Sequence, residues 1–458
     1  MKYAIPRYGV RHIPGSTKSA LDALSQNRGI EGPQIREFED RFAAYHRANH
    51  AVTASYGRMA FWNILKAFDF PPGSEIIFPA LTFWVVPEIA RICGLRPVFV
   101  DIDPVTFNID PRKIEAAINA ETVAIVPTHL YGQPCDMTPI MEIARTHKLV
   151  IIEDCAHALG ATYEGRLAGT FGDAAFFSFQ MLKGLNTYGG GMAITNNDQL
   201  GRRIREIAEA EPWPTVDEVR KRIQFGELQR GLISPPGFTF GLFVGFYLGS
   251  FFGAKDLSRF LWEKIRPLSP LPESYRRRFT NAQAIVGLQG LAQLDALNER
   301  SRANAERLTR GLQGIASITT PASLPNTVPV YYQYCIRTSK PQELSRLTIR
   351  HGIDIEIMHV DICSQLLLFA QYASRCPVAE STENTLQLPV YARLHPENVD
   401  RILRVVREAA LELPPVTPVP GQAIERKRSQ GPQESRGPTT LRYPTDAKTS
   451  DRGTSLIP

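Results

Sequence analysis

The stretch Ala174-Ala175-Phe176-Phe177-Ser178-Phe179-Gln180-Met181-Leu182-Lys183-Gly184-Leu185-Asn186-Thr187-Tyr188-Gly189-Gly190-Gly191 passes from an apolar run through one lysine to three glycines. The run has the length of a strand, and the glycines lead into a second apolar run at 192–195. Lys183 therefore falls at a strand end, inside a cleft. Desolvation there lowers an amine's pKa and makes it available as a nucleophile. Taken alone, a lysine after a strand is usually just solvated.

Upstream, short apolar runs at 75–79, 97–101, 123–127, 149–153 and 174–179 alternate with helical patterns. That alternation predicts an α/β fold with a largely parallel sheet covered on both faces. Several runs end near Asp101, His129, Asp154 or Ser178, which places polar groups at the carboxyl ends where open α/β sheets bind ligands. Ile35, Phe38, Phe42 and Ala43 mark a helix after an N-terminal arm. A further helix is predicted over 282–313, on a stripe of Ala284, Leu288, Leu291, Leu294 and Leu297. From 329 to about 412 a strand pattern at 330–337 and helices up to 398–411 predict a smaller α+β domain. Beyond 413 the chain is rich in Pro, Gly, Ser and charge, too poor in apolar groups to offset ordering entropy.

A length of 458 residues fits a large domain plus a smaller one, and 43% hydrophobic residues suffice for a substantial core. The net charge of +6 is partly carried by the tail and argues against a nucleic-acid partner. Six scattered cysteines without a CxxC pair read as reduced, buried thiols of a cytoplasmic protein. No metal-ligand spacing stands out, and the first residues lack the apolar core of a secretion signal.

Four parts make a pyridoxal-phosphate site: a lysine, a carboxylate for the pyridine nitrogen, a phosphate cradle and a flat group against the ring. Lys183 supplies the first. Asp154 ends a continuous apolar run and supplies the second, although an aspartate there also suits a helix N-cap. His157 lies three residues on and could meet the same ring; it also reads as a core histidine. Ser55-Tyr56-Gly57-Arg58-Met59 opens a helix whose free N–H groups suit a phosphate, with Arg58 adding a cation and Ser178 a hydroxyl. Phe83 is the candidate ring-stacking group, or ordinary core.

Together these segments resemble the DegT/DnrJ/EryC1/StrS aminotransferases, the sugar branch of fold-type I pyridoxal-phosphate enzymes. The resemblance runs through Phe38-Glu39, Pro72-Gly73, Asp101-Ile102-Asp103, His129-Leu130-Tyr131-Gly132, Glu153-Asp154, Ser178-Phe179, Lys183, Gln283-Ala284, His359 and Leu388-Pro389. It implies that Lys183 binds the cofactor covalently and shuttles a proton, and that Asp154 pairs with the ring nitrogen. It also implies that Phe83 and His157 flank the ring and that Gly57, Arg58, Met59 and Ser178 hold the phosphate. A homodimer, a nucleotide-linked keto sugar as substrate, and glutamate or glutamine as donor follow from the same resemblance. Two positions depart from it: Arg58 replaces the usual threonine, and Arg278 stands where an asparagine reaches the partner's cofactor. Arg276 and Arg277 beside it read equally as a solvated basic turn. The division expected is an arm and helix (1–50), a cofactor-binding domain (51–210), an insertion (211–277), a helix with a small domain (278–413) and a disordered tail (414–458). Other pyridoxal-phosphate chemistry, such as a lyase or decarboxylase, and a protein that has lost turnover remain alternatives.

Within the insertion, residues 231–254 carry no charge, and Gly237, Gly241, Gly245, Gly249 and Gly253 recur every fourth position among aromatics. Five glycines in a helix cost on the order of 5 kcal/mol relative to alanine, so an apolar contact has to offset them. Three readings stay open: a hydrophobic arm packed on protein, a re-entrant or peripheral membrane anchor, or an irregular aromatic loop. Topology argues against a single membrane crossing, which would separate two halves that the resemblance requires to fold together. An amphipathic stretch at 255–264 follows.

Overall fold

Seven strands form the central sheet: β1 (His50–Ala54), β2 (Glu75–Pro79), β3 (Arg96–Val100), β4 (Thr122–Ile125), β5 (Val150–Asp154), β6 (Ala174–Ser178) and β7 (Gly191–Thr195). Their order across the sheet is β1-β7-β6-β5-β4-β2-β3. The pairs from β6 to β3 are parallel, and β7 alone runs against its neighbours β6 and β1. Ile77, Ile125 and Ile151 pack with the helix Met137–His147. Ile76, Phe78, Ala124 and Ile152 belong to the cluster with helices Gly57–Phe68, Val85–Ile92 and Asp198–Glu209. Successive residues of a strand point to opposite faces, and both faces are covered, so the runs read as continuously apolar. Because β1 runs with the parallel strands, the carboxyl ends of all six lie along one edge.

The computed structural model describes residues 3–251, 263–357 and 360–416. His359, residues 252–262 with Gly253 and most of the 255–264 stretch, and the tail from 417 onward lie outside the described residues.

A second sheet contains β8 (Ile318–Thr319), β9 (Tyr334–Thr338), β10 (Glu356–Ile357) and β11 (Thr385–Leu388), ordered β8-β9-β11-β10 with every pair antiparallel. Helices Leu294–Leu312, Pro341–Arg350 and Pro396–Leu411 bury their apolar stripes against it. The N-terminal arm reaches this sheet: Ile5 bridges Ile353, and Arg7 forks onto Asp354 at 2.8 and 2.6 Å.

Three elements differ from expectation. The helix predicted over 282–313 is two, Asn281–Leu291 and Leu294–Leu312, parted where Gln293 leaves helical geometry. The first fifty residues hold two helices, Ser16–Ser25 and Gln34–His46; the first packs Ala20 and Leu24 on Ala282 and Val286. The insertion's apolar segment is also two helices, Pro235–Phe240 and Leu242–Gly249, broken at Gly241 with φ −108° and ψ −100°. Among the described residues, no helix is long and apolar enough to cross a membrane.

That segment packs inward on the protein's own chain. The Ala4 N–H donates to Thr239 Oγ1 at 2.8 Å, Arg350 donates to the Ser250 carbonyl at 2.9 Å, and Phe238 is buried. Gly237 is required by close approach, since a Cβ there would sit 1.9 Å from the Gly231 carbonyl oxygen. Gly245 instead faces open space, so the glycine spacing is not one continuous packing stripe. Phe240, Val244, Leu248 and Phe251 are exposed on the outer side.

Candidate active site

The carboxyl edge of the sheet opens into one cavity of about 380 Å³. Gly57, Arg58, Phe83, Asp154, His157, Ser178 and Lys183 all line it. Met59 and Arg278 do not. The Met59 side chain is 2% exposed in the core, and its N–H donates to the Tyr56 carbonyl in the first helical turn. The Arg278 guanidinium lies 3.9 Å from the Trp213 ring centre, and its backbone N–H donates to the Pro212 carbonyl. Arg276 and Arg277 also lie off the cavity, paired with Glu211 and Glu218.

Asp154 is positioned by its strand neighbours. Its N–H donates to the Pro127 carbonyl, its carbonyl accepts from His129 N–H, and Oδ1 accepts the Ala156 N–H at 3.0 Å. Burial pushes the carboxyl up to about 6, against the Ala156 N–H and the charge of Lys183. Burial likewise pulls the Lys183 amine down to about 8, opposed by Asp154 and reinforced by Arg58. The Lys183 loop is tight: its N–H donates to the Gln180 carbonyl, and Phe179 accepts from both Thr187 and Gly189. Gln283, in a capping box with Thr280, also donates to the Gly189 carbonyl at 2.7 Å. One residue thus starts a helix and fixes the glycine turn beyond the lysine.

The neighbouring carboxylate, Glu153, is fully buried and has a structural task. It accepts His129 Nε2 at 2.9 Å and the N–H groups of Gly169, Phe171 and Gly172 at 2.7 Å each. Burial opposes its charge, but His129 and these N–H groups outweigh burial and hold its pKa below the usual value.

At the other end of the site, the helix Gly57–Phe68 begins against the end of β6. A Cβ on Gly57 would lie 2.8 Å from Ser178 Cβ. Only glycine lets the helix N-terminus approach that hydroxyl, and the first N–H groups of a helix have no intrahelical acceptor. Gly57→Val is expected to weaken cofactor binding at least about tenfold by displacing this turn, measured by titrating cofactor absorbance. Unchanged affinity would remove the turn from the site.

Sequence reasoning missed several lining residues. Tyr332 comes from the loop before β9; His157 stacks on it at 4.2 Å and Lys183 Nζ lies 4.7 Å from its ring centre. Glu263 forks onto Arg58 at 2.7 and 2.6 Å, and Tyr275 hydroxyl accepts from the same guanidinium. Burial opposes the Arg58 charge, but Glu263 outweighs it and holds the pKa above its usual value. The expected phosphate cation is therefore already paired with a carboxylate of the insertion. Spacing carries no signal for such a pair, because 205 residues separate its members.

A buried, depressed amine, a buried carboxyl and a helix N-terminus that a Cβ would fill fit pyridoxal phosphate. Fold and site together define a fold-type I pyridoxal-phosphate enzyme, with Lys183, Asp154 and the Gly57–Ser178 turn as the groups that would hold the cofactor. The sequence matches the DegT/DnrJ/EryC1/StrS aminotransferase family over residues 14–216 and 250–407, and the chain belongs to that family. A pleiotropic regulatory protein of Geobacillus stearothermophilus is 32% identical, covering 84% of this chain and 92% of its own. A GDP-perosamine synthase of Caulobacter vibrioides is also 32% identical, covering 81% and 89%. The crystal structure of S. venezuelae DesV is similar with a TM-score of 0.69 at 29% identity, covering 86% of this chain and 94% of its own. The chain is a pyridoxal-phosphate-dependent aminotransferase.

Proposed function

We propose that the enzyme aminates a nucleotide-linked keto sugar, with glutamate or glutamine as donor, in the building of an amino-sugar polymer. The observation that carries this reading is the single cavity holding Lys183 and Asp154 in a chain similar to a GDP-perosamine synthase. When bound, pyridoxal phosphate supplies an electron sink that takes an amino group from a donor and passes it to a ketone. Asp154 holds the ring nitrogen's proton. Lys183, its amine lowered by burial, moves the proton at the reacting carbon. Phe83 and His157 orient the ring, and Tyr332 backs His157. Gly57 and Ser178 hold the phosphate. Arg58 joins them only when it parts from Glu263.

The test is spectral. Glutamate or glutamine should convert the cofactor to its aminated form, and one member of a panel of UDP-, dTDP- and GDP-linked keto sugars should return it. Conversion by a donor with no return by any of them would overturn the sugar reading.

The same reading makes the enzyme a cytoplasmic homodimer, which sedimentation velocity tests. The exposed outer face at Phe240, Val244, Leu248 and Phe251 supports a peripheral membrane contact. Co-sedimentation with phospholipid vesicles is expected for the wild type and reduced at least about threefold in Val244→Glu with Leu248→Glu. Equal co-sedimentation, or none in either, removes the membrane contact.

A further inference from the structure

The cavity does not end at the cofactor groups. It continues to the insertion, where Leu232, Ile233, Phe238, Leu242 and Phe246 line it. Residues 231–251 carry no charge. Among the described residues, the two guanidinium groups in the lining are both engaged by this chain's own carboxylates, Arg7 by Asp354 at 2.6 Å and Arg58 by Glu263 at 2.6 Å. Among the described residues the walls at this end are mostly apolar, with Gln229 and the carboxylate-engaged Arg7 beside Phe246 as polar neighbours, so a charged group entering it would lose more water than it could replace. An apolar chain would gain from the same desolvation, by roughly fourfold in affinity per fully buried methylene. Phe238 is buried, while Leu242 and Phe246 are half-buried, so the walls are formed and not collapsed onto one another.

We propose that this end of the cavity is a subsite for an apolar chain carried by the keto substrate. The inference rests on the sugar-aminotransferase reading above and adds the chemistry of the substrate's far end. Leu232, Ile233, Phe238, Leu242 and Phe246 select for the chain, while the sugar ketone meets Lys183.

The test uses the cofactor-loaded enzyme and a series of alkyl glucosides from methyl to octyl, below their micelle concentrations, with binding measured by calorimetry. Affinity is expected to rise at least about tenfold along the series, since a few half-buried methylenes suffice. Leu242→Glu and Phe246→Gln should cut that rise to under about threefold. Borohydride fixing of the cofactor to Lys183 should stay intact in both. Should the charged variant lose its cofactor, Leu242→Ala carries the comparison without adding a charge. Val244→Glu, on the outer face, should keep the full rise. Equal affinity for methyl and octyl glucoside, or loss of the rise in Val244→Glu as complete as in Leu242→Glu, would overturn the subsite. Added uridine diphosphate separates the two sources of a chain, and either result upholds the subsite. Displacement of octyl glucoside assigns the chain to the carrier, and joint binding assigns it to a substituent on the sugar. The donor half-reaction is followed on the same sample with glutamate and with glutamine. Failure with both sinks the proposed function, whereas a flat chain-length series with the half-reaction intact sinks only this inference.

Discussion

Lys183→Ala is expected to lower transamination by roughly 10⁴-fold or more, beyond what a positioned acid–base group alone supplies, because a nucleophile is lost as well. Borohydride should fix the cofactor to Lys183 in the wild type and leave no adduct in the variant. Label on another lysine would overturn the assignment. A second readout uses Lys183→Met and needs no substrate. Burial lowers the folded amine to about 8 from an ordinary 10.5. A depressed lysine penalises the folded state fully below the folded pKa, and the penalty is relieved as pH rises from 8 through 10.5. Lys183→Met should therefore stabilise the cofactor-free protein by on the order of 1–3 kcal/mol at pH 7, part of the gain being returned because Asp154 loses its opposing charge. The gain should shrink above pH 8. Thermal unfolding of both proteins across pH 6–10 checks the sign.

The parts of this site that lie within one strand and its following turn were legible in the sequence. Asp154 ends β5, Ser178 ends β6, and Lys183 and Gly57 follow β6 and β1 directly. A continuous apolar run ending in a polar residue is a local pattern, and the sheet's geometry then gathers such ends on one edge. β1 itself was passed over, because His50–Ala54 starts on a polar residue and includes Thr53, whose hydroxyl is satisfied by the buried Glu39. Contacts made across the fold were not legible. Tyr332 reaches Lys183 and His157 from the small domain's side of the cavity, and Glu263 reaches Arg58 from the insertion. Met59 is expected at the phosphate as part of the Ser55–Met59 helix opening, yet successive helical residues point about 100° apart, and its side chain turns into the core. The fourfold glycine spacing of the insertion suits one glycine face on a helix, and it carries no sign of a break. Ser234-Pro235-Pro236 starts a new helix and Gly241 breaks it, so the segment folds back into the cavity wall.

Asp154→Asn should cost roughly 10²–10³ in turnover, the loss seen when one electrostatic stabiliser of developing charge is removed. The cofactor should stay bound, because Gly57, Ser178 and Lys183 are untouched. The reason is differential: a carboxylate stabilises a charged ring most where charge develops, and an amide cannot. The competing account is that Asp154 merely caps the chain turn through its bond from Ala156 N–H, a task asparagine performs equally well. A near-normal rate in the variant would favour the cap. Stability separates the accounts independently. Burial raises the folded carboxyl to about 6 from an ordinary 3.8. A raised carboxyl favours the folded state below the unfolded pKa, and that contribution is lost as pH rises through 6. The cofactor-free wild type should thus lose on the order of 3 kcal/mol from this group between pH 4 and 7, and Asp154→Asn should lose none of it. The variant's advantage in unfolding temperature should therefore grow from pH 4 to pH 7. It should vanish on cofactor loading, when the carboxylate gains a cationic partner at the ring nitrogen. An advantage that ignores both pH and cofactor would mean that the carboxyl charge plays no part in the site.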